Sequence, residues 1–580
     1  MAIDRECLEM SPRLPSSQRK IANADSSKQI LCAEVVGSNQ EIASCSKSGH
    51  NSSWISKLYD ALRSSFGFKS QAAYERVVDG CALGDEAVTF STLQFLRFCG
   101  SGLLMSVSYL DPGNLEADIQ VGAQAGYSLL WWYGISSVFF GFAFQCQAGR
   151  LGLVTGQDLA QHCGKRYPKE ARILLWTLLE FAIVGADIQE TIGSAIAISI
   201  LTGGAVPLWL GCILISVTAF FLLLLDRFGF RQLEIVFAAL IAVEAVALGI
   251  NYFEADIPLQ EVTMGLIVPK ISSATLPVAV GALGALVMPY NIYFQSSIVN
   301  SRPRDSDSDE KMGMLLVYMR MENMIMLVFA FIINVFVVCV FAEGFYNPDN
   351  PSMELGLESA GDHLAERYGN TFRIFWAIGL LAAGQVATIS LTYAGQLVMT
   401  GLLGMKVQAG VRMVATRLVA LIPTVVMAVL FEATNTFDVA AQMLNVAQSL
   451  LLPFALLPAL HMTANKEIMG EKFVSAKWFT ILTAGITAIV LAVNGYLLYD
   501  VMRQQHASGG DLGGSLAVLL ALMLIIYYSL TAYYAIGPDN IPGLWRFLRG
   551  KVVTLSNPQD GPQETDPMLA SIAHQHPHDR

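Results

Sequence analysis

Charged residues are scarce in this chain of 580 residues: Asp, Glu, Lys and Arg together make up 14%, against about 25% in an average soluble domain. Hydrophobic residues make up 54%, and the mean hydropathy is +0.49. These few charges do not suffice to cover the surface of a water-soluble protein of this size. The composition therefore argues against a soluble or disordered protein and predicts a polytopic membrane protein.

Metal-binding, catalytic and basic motifs are also sparse. The 9 cysteines are scattered without a CxxC pair, which argues against a zinc module or a disulfide framework. None of the 8 histidines lies within the first nine apolar segments, so a histidine-built site in the membrane is not expected. A net charge of −11 indicates no nucleic-acid surface. Without a nucleophile–base set or a phosphate loop, an enzyme is the weakest class, and no cofactor is expected.

Twelve apolar segments lie between two polar tails, 1–92 and 537–580. Each approaches or exceeds the roughly 20 residues that a helix needs to cross the hydrocarbon core, and helices are the default spanning structure. We number them spans 1 to 12: residues 95–121, 128–147, 172–201, 206–226, 232–252, 277–299, 324–344, 373–401, 414–432, 438–461, 478–500 and 515–536.

Basic residues alternate between the loops. The loops after even-numbered spans hold sixteen Lys and Arg, whereas those after odd-numbered spans hold four. Loops rich in Lys and Arg stay in the cytoplasm, so both termini are predicted to be cytoplasmic. The protein is expected to be located in the plasma membrane or in an endosomal or vacuolar membrane.

Span 1 is interrupted by Asp111, Pro112, Gly113 and Asn114. Proline lacks a backbone donor and glycine weakens the helix beside it, so the helix is predicted to break here. A simple kink does not need a carboxylate at its centre. An ionisable group within the membrane is a functional hypothesis by default, and Asp111 and Asn114 offer oxygen ligands.

Span 6 has a matching interruption at Met288-Pro289, where the Ala285 carbonyl and the Met288 thioether would face the gap. Paired broken helices in two halves indicate a transporter site near the membrane midplane. The halves are predicted to be inverted repeats, 93–252 and 253–461, because each holds five spans. Residues 462–536 then hold spans 11 and 12.

The donors at the two breaks combine hard and soft atoms. Mg²⁺ and Ca²⁺ take oxygen ligands, whereas a thioether favours softer ions such as Mn²⁺, Fe²⁺, Co²⁺ or Cd²⁺. A single carboxylate with neutral partners suits a divalent ion that must also leave. The sequence therefore predicts a transient site for a divalent transition metal.

Further ionisable groups lie within the spans. Glu180, Asp187 and Glu190 fall within roughly 80° on one face of span 3, and could form a proton relay. Arg417 in span 9 is a cation in need of an acid, so a structural ion-pair network is the alternative. Glu244 in span 5 has no evident partner.

Polar residues elsewhere suggest supporting roles. In span 10, the amide of Asn445 or of Gln448 could complete a metal shell. Glu116 and Asp118, in the outer half of span 1, could draw cations into an outward mouth. Close helix packing alone could explain the small and hydroxyl residues of span 8, residues 384–396.

With these residues in place, the chain resembles the Nramp family of divalent metal transporters, especially its eukaryotic members. The resemblance covers residues 95 to 540, nearly everything outside the tails. It is carried by four blocks in order: Asp111-Pro-Gly-Asn114 with Leu-Glu-Ala-Asp-Ile-Gln after it, Glu180-Phe-Ala-Ile-Val-Gly-Ala-Asp-Ile-Gln-Glu190, Ala285-x-x-Met288-Pro, and Gly384-Gln385 through Tyr393-Ala-Gly-Gln396.

The resemblance implies an all-α, LeuT-like fold of inverted five-helix repeats, and symport of a divalent metal with protons by alternating access. It implies metal ligands at five positions: Asp111, Asn114, Met288, the Ala285 carbonyl and Asn445. It also implies a proton route through Asp111, Glu180, Asp187, Glu190 and Arg417. The implied partners are metal ions and the lipid bilayer, while protein partners and oligomeric state are left open.

The chain departs from the family pattern at two positions. Family members often carry histidine where this chain has Tyr290 and Gln295. Neither side chain titrates near neutral pH, which leaves a proton-uncoupled metal uniporter as an alternative. A metal sensor that keeps the fold but does not transport is the alternative from another class.

Overall fold

The computed structural model describes residues 92–100, 105, 108–223, 230–300, 309–347, 355–404, 409–434, 437–507 and 511–538. The two predicted tails lie outside the described residues, apart from the few positions next to spans 1 and 12.

The described chain is helical from end to end. Helices α1 to α20 are, in order, Thr92–Phe98, Pro112–Ala125, Leu130–Tyr133, Phe142–Thr155, Leu159–Arg166, Lys169–Leu201, Leu208–Leu223, Phe230–Glu254, Leu259–Ile267, Leu276–Leu286, Pro289–Asn300, Asp309–Phe345, Leu357–Tyr368, Asn370–Leu403, Ala409–Thr434, Phe437–Leu451, Pro453–Ala464, Lys466–Phe473, Lys477–Ala507 and Asp511–Ile536. A π-helical stretch, Gly134–Gly141, joins α3 to α4.

Membrane-spanning segments account for most of these helices. By length and composition, six are able to cross a membrane: Val236–Glu254, Leu276–Asn300, Asp309–Phe345, Asn370–Leu403, Val439–Ala464 and Lys477–Tyr499. Three shorter apolar helices are Leu208–Phe221, Leu418–Leu430 and Leu522–Ile536. These nine segments match predicted spans 4 to 12, and spans 1, 2 and 3 match α1–α2, α3–α4 and α6. Each predicted span therefore coincides with one helix or with an interrupted one.

Spans 1 and 6 are both broken at the predicted proline. Helix α2 begins at Pro112, and Asp111 caps its amino end. Helix α10 ends at Leu286, and α11 begins at Pro289. The reason is local in both cases, because proline supplies no N–H to the carbonyl four residues earlier.

The packing shows the predicted inverted repeat. The second half of span 1, α2, packs against α12 of span 7, and the second half of span 6, α11, packs against α4 of span 2. Exchanging spans 1 and 2 with spans 6 and 7 converts one pair into the other. Glycine permits both close approaches: a Cβ on Gly122 would lie 2.6 Å from the Val338 carbonyl oxygen, and one on Gly152 would lie 1.9 Å from the Ser296 carbonyl oxygen.

Candidate metal site

The break in span 1 presents two oxygen atoms that have no hydrogen-bond partner in the described part of the chain. Asp111 Oδ1 accepts hydrogen bonds from the backbone N–H of Asn114 at 2.9 Å and from its side-chain Nδ2 at 2.8 Å. Both side chains are buried. The other oxygens, Asp111 Oδ2 and Asn114 Oδ1, have no hydrogen-bond partner among the described residues. A buried oxygen left in this state is costly unless a proton, water or cation meets it.

The prolines also release a backbone carbonyl at each break. Pro112 cannot donate to the carbonyl of Ser108, which instead lies 3.4 Å from Nδ2 of Asn114. Pro289 likewise supplies no N–H to the carbonyl of Ala285. The predicted Ala285 ligand is therefore a carbonyl without the usual helical donor.

Three spans converge on Gly113. A Cβ on this glycine would lie 3.4 Å from each of three atoms: Asp111 Oδ1, Glu190 Oε1 and the Met288 Cε methyl. Met288 and Glu190 are fully buried. The structure thus brings Asp111 of span 1 and Met288 of span 6 together and adds a carboxylate from span 3.

Span 10 reaches the same point through Asn445. Its Nδ2 donates to the Gly113 carbonyl at 3.1 Å, and its Oδ1 accepts from Nε2 of Gln189 at 2.9 Å. Gln189 also donates to the Ala441 carbonyl at 2.9 Å. Sequence reasoning overlooked Gln189, although its place between Asp187 and Glu190 was a usable signal. The alternative amide, Gln448, instead donates to the Ala182 carbonyl at 2.6 Å.

The acids of span 3 lead away from this point. Glu190 and Asp187 are buried, and Glu180 is half-buried. Glu190 interacts electrostatically with Asp111 and Asp187, and also with Glu244 of span 5. Glu244, left without a partner by the sequence, is thus near the same acids. The side chain of Arg417 lies outside the part of the chain that the structure describes.

Glu116 and Asp118 are both fully buried, so in this conformation they do not line an open outward mouth as the sequence suggested. The segment between spans 7 and 8 contacts Glu116. Glu116 Oε2 accepts from the backbone N–H of Leu357 at 3.0 Å, and Gln120 donates to the Leu355 carbonyl at 2.5 Å. Asp118 lies near the side chain of Tyr133.

The two residues that stand in place of the family histidines have polar partners. The Tyr290 hydroxyl donates to Sδ of Met288 at 2.7 Å, and Gln295 Nε2 donates to Oδ1 of Asn323 at 3.3 Å.

The segment of small and hydroxyl residues in span 8 packs against span 3, since a Cβ on Gly384 would lie 1.7 Å from Oγ of Ser194. That contact supports the packing interpretation of span 8.

Most of the candidate ligand atoms carry no charge. Within the described ranges, no three or more His, Cys, Asp or Glu side chains are arranged to hold a metal ion. The predicted ligands at the two breaks instead combine the single acid Asp111 with an amide, a carbonyl and a thioether, and Glu190 is a second carboxylate close to Gly113. Such a mixture can bind a divalent ion without surrounding it with negative charge.

Comparisons with known proteins point to one family. The family described as natural resistance-associated macrophage protein-like matches residues 102–500. The metal transporter nramp1 homolog of Dictyostelium discoideum is 40% identical over 470 residues, covering 81% of this chain and 86% of that protein. Metal transporter Nramp3 of Arabidopsis thaliana is 44% identical over 423 residues, covering 72% of this chain and 82% of that protein.

Solved structures agree with the fold. The manganese transporter of Eremococcus coleocola superposes with a TM-score of 0.66 at 28% identity, covering 78% of this chain and 99% of that chain. MhsT, solved in complex with L-phenylalanine, shares the fold with a TM-score of 0.50 at 13% identity, covering 68% of this chain and 98% of that chain. The family match, the relatives and the broken-helix site together show that this chain belongs to the natural resistance-associated macrophage protein (Nramp) family.

Proposed function

We propose that this protein carries divalent transition metals, Mn²⁺ or Fe²⁺ and also Cd²⁺ or Co²⁺, into the cytosol by alternating access. The observation that carries the proposal is a pair of buried oxygens, Asp111 Oδ2 and Asn114 Oδ1, that have no hydrogen-bond partner among the described residues. They belong to the break at which the Asp111 and Met288 side chains both approach Gly113. The relatives named as metal transporters, and the manganese transporter of the same fold, support this cargo.

The roles of the ligands follow from their chemistry. Asp111 supplies the charge that attracts the cation, Asn114 and the Ala285 carbonyl supply neutral oxygens, and Met288 supplies sulfur. Sulfur favours transition ions over Mg²⁺ and Ca²⁺. Asn445 Oδ1 accepts one hydrogen bond from Gln189, and its second lone pair would be the one that binds the metal.

Proton coupling is the second part of the proposal. Asp111, Glu190 and Asp187 interact electrostatically, and Glu180 lies further along the same helix. Acids spaced along a span are typical of proton relays in transporters. We therefore propose that protons pass along this row, with Arg417 as its counter-charge.

A proton-uncoupled uniporter is the second candidate. The observation that favours it is the pair Tyr290 and Gln295, whose hydrogen bonds to Met288 and Asn323 involve no titrating imidazole. A metal sensor without transport is the third candidate, and it would bind the ion without moving it.

We further propose that both termini are cytoplasmic, because the loops after even-numbered spans hold sixteen of twenty counted Lys and Arg residues. In that orientation α2 and α13 face the outside, whereas α5 and α11 face the cytoplasm. Transport into the cytosol then means uptake at the plasma membrane or release from an endosome or vacuole.

The deciding experiment uses purified protein in liposomes that contain a Mn²⁺-quenched dye and a pH dye. We expect Mn²⁺ entry with matched acidification, and loss of both signals in Asp111→Ala. Asp362→Ala is the matched control, because this exposed acid pairs with Arg373 at 3.1 Å, away from the site. Entry without acidification would identify a uniporter, and binding without entry would leave the sensor.

A further inference from the structure

The thioether at the site has a neighbour that is not itself among the proposed ligands. Tyr290 is the second residue of α11, and its ring is buried. Its hydroxyl donates a hydrogen bond to Sδ of Met288 at 2.7 Å. A thioether is a weak acceptor, so a buried tyrosine hydroxyl committed to one is an unusual arrangement.

This contact involves the one soft donor atom of the site. The Met288 methyl lies at the point where Asp111 and Glu190 converge, and the Tyr290 hydroxyl interacts electrostatically with both acids. Tyr290 is therefore close to the cargo position, and its hydroxyl hydrogen bond is made to the sulfur.

We propose, on the basis of the transport function above, that Tyr290 is a positioning residue that sets the preference between hard and soft cations. Its O–H engages a lone pair of the Met288 sulfur and withdraws electron density from it. An ion that binds the sulfur must share those electrons with the hydroxyl or displace it.

The effect differs between metals because they depend differently on sulfur. Cd²⁺ is soft and gains much of its binding from a thioether, whereas Mn²⁺ is satisfied mainly by oxygen donors. The Tyr290 hydrogen bond therefore weakens Cd²⁺ binding more than Mn²⁺ binding. In this way the chain keeps the soft ligand that excludes Mg²⁺ and Ca²⁺ while limiting the advantage of toxic soft ions.

The test measures Mn²⁺ and Cd²⁺ binding to the purified full-length protein by calorimetry. In Tyr290→Phe, Cd²⁺ binding should tighten about fivefold relative to Mn²⁺, which is the worth of one net hydrogen bond. Tyr293→Phe is the matched control: it removes a buried hydroxyl on the same helix that donates to the Phe454 carbonyl at 3.3 Å. The ratio of Cd²⁺ affinity to Mn²⁺ affinity in this variant should equal that of the unmodified protein.

A double-mutant cycle with Met288→Leu separates this role from a general effect of the hydroxyl. The change caused by Tyr290→Phe should disappear when the sulfur is absent. An unchanged ratio, an equal loss of both metals, or the same change in the Met288→Leu background would overturn the proposal. Tyr290→Leu also lacks the hydroxyl and serves the same test if the phenylalanine variant does not fold.

Failure of this inference is distinguishable from failure of the proposed function. If the unmodified protein neither binds nor transports Mn²⁺, the transport proposal fails. If it transports Mn²⁺ and Tyr290→Phe leaves the ratio unchanged, only the role of Tyr290 is overturned.

Discussion

The two half-helices that follow the breaks, α2 and α11, make the same kind of hydrogen bond with a neighbouring loop, but with different side chains. Each accepts a hydrogen bond from the first backbone N–H of a helix in a neighbouring loop. On α2 the acceptor is Glu116, which binds Leu357 N of α13 at 3.0 Å. On α11 it is Ser296 Oγ, which binds Leu159 N of α5 at 2.9 Å.

The difference lies in the acceptors and in the breaks before them. The break before α2 is polar and internally capped by Asp111, whereas the break before α11 offers a sulfur and a carbonyl. A repeated backbone architecture thus carries only hard oxygen donors in one half, and a soft sulfur beside a carbonyl oxygen in the other. The symmetry concerns the position of each break, and the asymmetry concerns its chemistry.

The largest expected effect comes from adding a side chain at Gly113, in the break of span 1. Gly113→Ala would place a methyl 3.4 Å from Asp111 Oδ1, Glu190 Oε1 and Met288 Cε, which is ordinary contact, so the protein should fold. The methyl occupies the convergence point, and we expect Mn²⁺ uptake in liposomes to fall at least tenfold.

Gly281→Ala is the matched control on the span 6 side. Its Cβ would lie 3.9 Å from the nearest side chains, those of Asn445 and Val446. Uptake should be retained. Equal losses in the two variants would mean that the point near Gly113 is not the cargo position.

The hydrogen bond between Glu116 and α13 and the one between Ser296 and α5 are expected to be independent of each other. Glu116→Ala removes the acceptor for Leu357 N and the partner of Gln120, so amide hydrogen exchange in α13 should accelerate about tenfold. Ser296→Ala should accelerate exchange in α5 about fivefold, because one net hydrogen bond is lost.

Each variant should leave the loop helix on the other side of the membrane unchanged. If either variant accelerates exchange in both α5 and α13, the two contacts are coupled and the comparison of independent contacts is wrong.

The smallest effect concerns pH at α5, which lies outside the spans. Burial raises the pKa of the Asp158 carboxyl from 3.8 to about 6 and lowers the pKa of the His162 imidazole from 6.5 to about 4. Compared with the unfolded chain, the folded chain binds a proton more readily at Asp158 and less readily at His162. Acidification from pH 7 to pH 5 therefore stabilises through Asp158 and destabilises through His162.

Single variants should expose these opposing contributions. Relative to the unmodified protein, Asp158→Asn should lose thermal stability on acidification, and His162→Gln should gain it. Shifts of about 2 °C are expected for a protein of this size. Differential scanning fluorimetry at both pH values measures them, and shifts of the same sign in both variants would contradict the assignment.

Much of the architecture was predictable. The twelve spans follow from apolar length, and the breaks at Pro112 and Pro289 follow from a missing N–H. The family resemblance rested on motifs around those same breaks and was confirmed by the relatives. The assignment of individual ligands stays a prediction, although the structure brings Asp111 and Met288 together at Gly113.

Other features were beyond reach because they depend on distant parts of the chain. Glu116 is bound by a segment about 240 residues away, and no local pattern reveals which loop covers a helix. The bond from Gln189 to Asn445 joins spans 3 and 10 in the same way. The Tyr290 hydroxyl is close to Met288 in sequence, yet only its side-chain rotamer decides that it meets the sulfur.

The sequence by itself determined where the helices cross, where they break and which donor atoms lie at each break, because these depend on local covalent chemistry and on apolar length. The tertiary structure alone decided which spans meet at Gly113, which acid joins Asp111 and Met288 there, and which loop helix docks on each half-helix. These contacts depend on packing between residues far apart in the chain. A glycine or a serine allows two helices to touch only if the facing helix has a complementary shape.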